Sequence, residues 1–227
     1  MVDGSPMTSG SIATHEPEVR DISAAGQGSP DIKEHQRISR DKRVGETEKR
    51  GGEVLVTSSH RPSRRVRSFV NDLAKTLPGA TRINRGKKSL EDLRDLMRLT
   101  GYSVLIIVNT WKANPGRVDV YIREGDVLKK IGSLYISSIK LSREQGVPNC
   151  FFRSPQIDSG KCGADICGVL IDIFSTILGA RHDSNRSFDE KIHIEVSDEK
   201  IYIWFSKGGR ICGPRIGIRE AYREKEI

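Results

Sequence analysis

The distribution of aromatic residues divides this chain into two parts. All thirteen Phe, Tyr and Trp residues lie at or beyond Phe69, and the first 53 residues contain none. That first segment is rich in Gly, Ser, Pro, Glu and Arg, a composition that buries too little apolar surface to offset the entropy lost on ordering. The sequence therefore predicts a disordered tail over 1–53 and one folded body over 54–227.

The charge is also divided unevenly between the two parts. The tail holds 8 Lys and Arg against 10 Asp and Glu, which leaves 30 against 20 for the body. A body of this length buries roughly 70% of its unfolded surface and needs no staple to fold. No apolar run reaches the ~18 residues of a membrane span. We therefore expect a soluble intracellular protein without membrane contact whose basic body binds an acidic partner.

The four cysteines do not show the spacing of a zinc site. They are Cys150, Cys162, Cys167 and Cys212. The C-x4-C pair differs from the C-x2-C of zinc knuckles, so we predict free buried thiols, no metal and no cofactor. Disulfides stay open as an alternative, because 30% charged residues suggest a heat-adapted source, in which intracellular disulfides occur.

Apolar periodicity in the first part of the body predicts strands alternating with helices. A short buried strand over 54–57 precedes a helix with apolar residues from Val66 to Leu77 at helical spacing. A strand over 80–83 leads to a second helix capped by Ser89 with Asp92 three residues on. The continuous apolar run 102–108 predicts a central strand covered on both faces. Residues 114–116 predict a turn, and strands follow over 118–122 and 134–139.

The second part repeats this pattern more loosely. A helix is predicted over 164–179, with Asp165 and Asp172 on its solvent edge. Strands with alternating apolar residues follow over 192–196, 201–205 and 216–218, the first two joined by a tight turn at 198–199. His193 faces away from its apolar neighbours and is predicted to be a surface residue. The pattern as a whole predicts an α/β fold with a mixed sheet and flanking helices.

The segment Gly86-Lys87 resembles a phosphate-binding loop but lacks two of its required residues. Thr81 stands where the motif needs Gly, and Lys88 stands where it needs the Ser or Thr that binds Mg²⁺. Nucleotide hydrolysis is therefore disfavoured. Positive charge ahead of a helix N-terminus still favours binding of an anionic polymer.

Most of the excess positive charge lies in the first helices and the turns before them. Residues 60–98 carry 11 Lys and Arg against 4 Asp and Glu. Because the turn before each helix is basic, we predict a shared positive patch that contacts RNA phosphates. Its members are Arg61, Arg64, Arg65, Arg82, Arg85, Lys87 and Lys88.

Three stretches of the chain carry a family resemblance. They read VTSSHRPSRRVRSF over 56–69, LPGA over 77–80 with NRGK over 84–87, and GPRIGI over 213–218. The first two are similar to the N-terminal half of the Brix domain, and the last to its Gly-Pro-Arg strand. That family consists of ribosome-biogenesis proteins that bind ribosomal RNA precursors. The compact body resembles an archaeal member, which implies a cytoplasmic location.

The resemblance implies several further properties. It implies two similar α/β halves, at about 54–140 and 147–227, each resembling the anticodon-binding domain of class II aminoacyl-tRNA synthetases. It adds Arg210 and Arg215 as a second candidate RNA surface. The partners it implies are precursor ribosomal RNA and other ribosome assembly factors.

Two alternative functions remain open from the residues. One is an RNA-modifying or tRNA-handling enzyme, although no triad or metal motif is present and the nearest titratable residues, His60, Asp92 and Asp95, fit structural roles. The other is a protein-interaction module that docks a partner at Phe151-Phe152, a pair that also fits core packing at a strand. A non-catalytic RNA-binding assembly factor is the leading hypothesis.

The tail gives the first testable prediction. Limited proteolysis of the free protein should cut first within residues 1–53 and leave a stable body, because a segment without aromatic residues cannot offset its ordering entropy. Mass spectrometry of the fragments locates the cuts. Protection of the tail would contradict the prediction.

Overall fold

A computed structural model of the chain describes residues 54–162, 165–179 and 189–224. The predicted tail lies outside these residues. The described part contains four helices and nine strands. In chain order they are β1 (Val54–Ser58), α1 (Arg64–Thr76), β2 (Ala80–Arg82), α2 (Leu90–Thr100), β3 (Val104–Trp111), β4 (Asn114–Glu124), β5 (Val127–Lys140), α3 (Ser142–Gln145), β6 (Gln156–Lys161), α4 (Asp165–Leu178), β7 (Glu190–Ser197), β8 (Lys200–Lys207) and β9 (Arg210–Arg223).

All nine strands belong to one mixed sheet. Their order is β2-β1-β3-β4-β5-β9-β8-β7-β6. Strand β1 pairs in parallel with β2 and β3, and β6 pairs in parallel with β7. The remaining pairs are antiparallel. The predicted α/β class with a mixed sheet and flanking helices is confirmed.

The order of elements occurs twice along the chain. In β1-α1-β3-β4-β5, a strand and a helix precede three antiparallel strands, and the first strand is parallel to the second. The series β6-α4-β7-β8-β9 has the same arrangement. The first series also contains β2 and α2 between α1 and β3. The last strands, β5 and β9, pair antiparallel and join the two series into one sheet.

The main core lies between one face of the sheet and helices α1 and α4. Phe69 from α1 and Ile173 from α4 are buried in it, together with Val104, Ile106 and Val108 from alternate positions of β3. The residues between them on β3, Leu105 and Ile107, pack on the opposite face with Leu93 and Met97 of α2. The prediction that β3 is covered on both faces is therefore confirmed. Asp165 and Asp172 are exposed, as predicted for the solvent edge of α4.

One predicted turn is wrong and one strand is longer than predicted. The chain reverses at Lys112 and Ala113, both at positive φ (45° and 64°), while residues 114–116 belong to β4. Two successive residues at positive φ form the tight connection that matches the twist of a hairpin. Strand β5 begins at Val127, seven residues before the predicted start. Its first half is largely half-exposed and reads VLKKIGS, which lacks the apolar alternation on which the prediction relied.

His193 is not the surface residue that its position predicts. Its side chain is only 15% exposed and stacks on Trp204 with the ring centroids 3.6 Å apart. Its Nε2 lies 2.8 Å from the Ser206 hydroxyl. Burial lowers the pKa of His193, so the ring is neutral at pH 7. A cross-strand aromatic partner accounts for its burial.

The prediction of free thiols is also wrong. Cys150 and Cys212, both buried, form a disulfide with their Cα atoms 5.2 Å apart. Cys162 and Cys167 form a second one. The first disulfide ties the loop before β6 to the beginning of β9, two segments whose proximity depends on the sheet order.

This disulfide gives a stability prediction. Replacing Cys150 and Cys212 together with Ala should lower the free energy of unfolding by about 4 kcal/mol, because the bridge closes a loop of 62 residues and restricts the unfolded chain. Denaturant unfolding of the oxidised protein measures the change. The control, Cys162→Ala with Cys167→Ala, opens a loop of 5 residues and should lose about 2 kcal/mol. Equal losses would contradict this account.

Candidate nucleic-acid interface

Two basic loops are held side by side at one edge of the sheet. They follow β1 and β2, and the carboxyl ends of parallel neighbours lie at the same edge. The Thr57 hydroxyl donates to the Ile83 carbonyl at 3.1 Å. Nδ1 of His60 lies 2.9 Å from the Gly86 carbonyl oxygen. The loop before α1 is therefore fixed against the loop before α2.

The N-terminus of α1 has no acidic residue in its first turn. Ser63 caps this end by accepting a hydrogen bond from the Val66 N–H at 3.1 Å, and its hydroxyl donates to the Ala113 carbonyl at 2.6 Å. Arg64 occupies the first helical position and is exposed. The helix dipole and the arginine thus add positive charge at the same place.

The N-terminus of α2 differs, because it is already occupied by a carboxylate of its own chain. Asp92 accepts from the Ser89 N–H at 2.8 Å, and Ser89 accepts from the Asp92 N–H at 3.0 Å. The hydrogen bonds from Ser89 hold the pKa of Asp92 below its usual value. This end of α2 is therefore self-capped, as the spacing of Ser89 and Asp92 predicted, and its own carboxylate lies where an anion would approach. The lysines before it remain exposed.

A cleft of about 400 Å³ opens between α1 and the loop that follows β2. Arg67 and Val70 of α1 form one side, and residues 82–86 form the other. Arg67 is exposed and was not among the predicted site residues. Its position three residues after Arg64, on the same side of the helix, is the signal that could have identified it.

The exposed cations at this edge form what we call the basic edge. They are Arg61, Arg64, Arg67, Arg82, Lys87 and Lys88. Within the part of the chain that the structure describes, none of them makes an ion pair. Five of the seven residues predicted for the shared patch are thus in the basic edge, and their charges are available to an anionic partner.

Arg85 and Arg65, the other two, contribute to the fold itself. Arg85 is only 8% exposed, and its Nε donates to the Lys88 carbonyl at 2.7 Å. Burial lowers the pKa of Arg85. Arg65 donates to the Ile139 carbonyl at 3.0 Å and to the Glu144 carboxylate at 2.8 Å. Arg85 therefore shapes the loop before α2, and Arg65 joins α1 to the end of β5.

Arg210 and Arg215 lie on β9, away from the basic edge. Gly213, three residues after Arg210, closely approaches Thr76 at the C-terminal end of α1. The basic edge lies at the other end of this helix, about 20 Å away for 13 residues. Arg215 extends over the ring of Tyr202, with its guanidinium carbon 4.2 Å from the ring centroid. The two predicted surfaces are therefore separate.

The titratable residues nearest the basic edge have structural roles. His60 joins the two loops, Asp92 caps α2, and Asp95 pairs with Arg94 at 3.1 Å. Over residues 54–162, 165–179 and 189–224, no group of three or more His, Cys, Asp or Glu side chains could hold a metal ion. Among the same residues, no helix is long and apolar enough to cross a membrane.

The Phe151-Phe152 pair is divided between surface and core. Phe152 is buried and its ring centroid lies 6.2 Å from that of Phe205. Phe151 is 62% exposed. The pair lies in a loop and not in a strand. A single exposed phenylalanine is common on protein surfaces and does not by itself indicate a docking site.

Several archaeal proteins that are similar in sequence to this chain share the same name. A "Probable Brix domain-containing ribosomal biogenesis protein" from Aeropyrum pernix is 40% identical over 172 residues, which cover 72% of this chain and 93% of the relative. One of the same name from Methanococcus maripaludis is 32% identical, with 73% and 95% covered. One from Thermococcus kodakarensis is 43% identical over 96 residues, which span 42% of this chain and 46% of the relative. No family model matches the chain.

Solved structures show the same fold. The crystal structure of a probable ribosomal biogenesis protein from Aeropyrum pernix K1 has a TM-score of 0.66 and 30% identity, covering 75% of this chain and 97% of that one. An archaeal Imp4-like protein has a TM-score of 0.58 and 22% identity, with 75% and 99% covered. At that identity the second likeness concerns the fold alone.

The buried position of Arg85 separates it from the lysines beside it. Arg85→Ala should lower the free energy of unfolding by about 1–3 kcal/mol, because the Lys88 carbonyl loses its donor in a half-buried loop. The control, Lys87→Ala, removes an exposed charge and should change stability by less than about 0.5 kcal/mol. Urea unfolding of both variants measures the difference. Equal effects would show that Arg85 does not support the loop.

Proposed function

The chain belongs to the Brix domain family of ribosomal biogenesis proteins, and from this premise we propose that it binds precursor ribosomal RNA through the basic edge. In this proposal the protein holds the RNA for processing and assembly and catalyses no reaction. The observation that carries it is the pairing of the two basic loops through His60 and Gly86. This contact places cations from both loops on one surface.

The charges of the basic edge fit a phosphate backbone. Arg61, Lys87 and Lys88 are exposed, and none of them is paired with another described residue. The positive end of α1, which has no acidic residue in its first turn, lies beside them. Contacts of this kind fix an RNA chain in place but carry no sequence information. In this proposal the basic edge therefore contributes to the affinity for RNA and to the orientation of the bound RNA, but does not select an RNA sequence.

The non-catalytic part of the proposal is supported by what the nearby titratable residues do. His60 and Asp92 are each held by hydrogen bonds that a general acid or base would have to give up. The relatives are named for ribosomal biogenesis and not for a reaction. Because the relatives are named for ribosomal biogenesis, we propose precursor ribosomal RNA and other assembly factors as the partners, in the cytoplasm.

We also propose that the chain consists of two related halves, at about 54–140 and 147–227, each similar to the anticodon-binding domain of class II aminoacyl-tRNA synthetases. The repeated order of one strand, one helix and three antiparallel strands supports the division into halves. The pairing of β5 with β9 would then join the last strands of the two halves.

The salt dependence of RNA binding tests the proposal. If four to six cations contact phosphates, log K should fall with log salt with a slope of about −3 to −5. Replacing Arg82, Lys87 and Lys88 together with Ala should reduce the steepness by about 2 and weaken binding of different RNA sequences alike. Titrations of a precursor ribosomal RNA transcript at several salt concentrations measure both effects.

A matched control removes the same charge elsewhere. Arg98, Arg143 and Lys200 are exposed and lie outside the basic edge. Replacing these three with Ala should leave the slope within about one unit of the parent value. If the first triple variant is folded and keeps the parent slope, or if the control loses as much, RNA is not held at the basic edge.

A further inference from the structure

The second face of the sheet is only partly covered within the described part of the chain. Helix α2 packs there on Leu55, Leu105 and Ile107, and the same cluster reaches Tyr121 of β4 and Leu128 of β5. The core side chains of β7, β8 and β9 point to the other face, toward α4. The side chains between them, which point away from α4, lie outside the cluster around α2.

Aromatic and arginine side chains gather on this uncovered face. Tyr202 and Trp204 alternate along β8 with the buried residues Ile201, Ile203 and Phe205. Tyr135 on β5 alternates in the same way with the buried Leu134. Arg215 extends over Tyr202 at 4.2 Å, and Arg117 and Arg219 each lie 5.9 Å from the ring centroid of Tyr135. We call Tyr135, Tyr202, Trp204, Arg215 and Arg219 the aromatic strip.

The spacing of these rings follows from the strand register. Tyr202 and Trp204 are two residues apart on one strand, about 6.7 Å. Tyr202 is paired with Gly217, which in turn is paired with Ser138 three residues beyond Tyr135. At roughly 4.8 Å between strands, Tyr135 lies within about 15 Å of Tyr202. Tyr202 and Trp204 therefore lie close enough for neighbouring bases of one RNA strand, and Tyr135 lies close enough for a base a few nucleotides further along it.

The middle of this surface, around Gly217, is closely packed. A Cβ added to Gly217 would meet the hydroxyl oxygens of Ser137 and Ser138 within 2.8 Å. The serine hydroxyls fill the position that a side chain of residue 217 would occupy, so only small side chains lie between Tyr202 and Tyr135.

The charges on this face are close to balanced. Among the described residues, Asp119 pairs with Arg117 and Lys130, Asp158 lies near Lys191 and His193, Glu220 pairs with Arg219, and Glu195 is the cross-strand neighbour of Tyr202. Arg215 makes no ion pair with a described residue, and its Nε is buried without a hydrogen-bond partner. An arginine held flat on a tyrosine offers a planar, charged surface for a base and its phosphate.

We propose that the aromatic strip stacks the bases of single-stranded RNA. The inference rests on the proposed function and adds a second, separate contact to it. Stacking on aromatic rings and arginine planes is the physical means by which proteins hold unpaired bases, because every base has a π face. Duplex RNA keeps its bases inside the helix and cannot stack on the strip. The basic edge then holds the backbone, and the strip distinguishes unpaired from paired segments.

Fluorescence of Trp204 tests the stacking directly. The chain has two tryptophans, so Trp111→Phe leaves Trp204 as the emitting indole. One face of the Trp204 ring already stacks on His193, so a base is expected to stack on the opposite face of this half-buried indole. In that variant, an eight-nucleotide single-stranded RNA should quench the emission. The same strand annealed to its complement, and a ribose-phosphate oligomer of equal length without bases, should not. Equal quenching by the duplex, or binding of the single strand without quenching, would overturn the proposal.

Substitutions separate stacking from charge. Tyr135→Ala and Tyr202→Ala should each weaken single-strand binding by roughly 5- to 150-fold without changing the salt slope. The Phe variants at both positions keep the ring and should retain the affinity. Phe151→Ala, at an exposed ring off the strip, is the matched control and should have no effect.

The outcomes distinguish this inference from the proposed function. If RNA binding keeps its steep salt slope and the Tyr135→Ala and Tyr202→Ala variants keep the parent affinity, the proposal for the basic edge is supported and the stacking proposal is wrong. If neither single-stranded nor duplex RNA binds, both proposals are wrong, and a protein partner becomes the expected occupant of this face. If an Ala variant does not fold, the Trp204 fluorescence measurement still tests the proposal, because it leaves the aromatic strip unchanged.

Discussion

The parallel pairing of β1 with both of its neighbours is the constraint on which the candidate site depends. Parallel strands bring their carboxyl ends to one edge, so the loops after β1 and β2 lie together there. The hydrogen bonds from Thr57 and His60 to the backbone of the second loop then fix their separation. Positive charge from two loops that are separate in the sequence is thereby concentrated on one surface. The first turn of α1 contains no acidic side chain that would neutralise this charge.

The two faces of the sheet have different roles because the helices cover them unequally. One face carries α1 and α4 and holds the main core. The other is covered by α2 over Leu105 and Ile107, and beyond α2 it presents Tyr135, Tyr202 and Trp204. Since strands alternate their side chains, the same β8 that contributes Ile203 to the core also presents aromatic rings on the opposite side. This unequal covering of the two faces is the basis for proposing that the basic edge binds the RNA phosphates and that the aromatic strip stacks unpaired bases.

Elements with a strong local signal could be predicted from the sequence. The apolar period of α1, the capping box at Ser89 and the continuous apolar run of β3 each depend on neighbouring residues, and each is confirmed. Two of the errors concern properties that depend on residues far apart in the sequence. The Cys150–Cys212 disulfide and the stack of His193 on Trp204 follow from sheet order and register.

The candidate site shows the same limit. Composition identified the basic loops, and the exposed positions of Arg61 and Lys87 agree with it. The burial of Arg85 could not be predicted, because nothing in its neighbours indicates that its side chain turns back to the Lys88 carbonyl. The turn at Lys112 and Ala113 was missed since neither residue is typical of positive φ, whereas Pro115 and Gly116 are typical turn residues.

The central claim is that this protein acts on precursor ribosomal RNA. Ultraviolet crosslinking of the protein to RNA in its own cells, followed by sequencing of the attached fragments, tests it most directly. The account predicts that most adducts map to precursor ribosomal RNA and cluster in segments without stable base pairing. Recovery of mainly transfer RNA, with little ribosomal RNA, would contradict it.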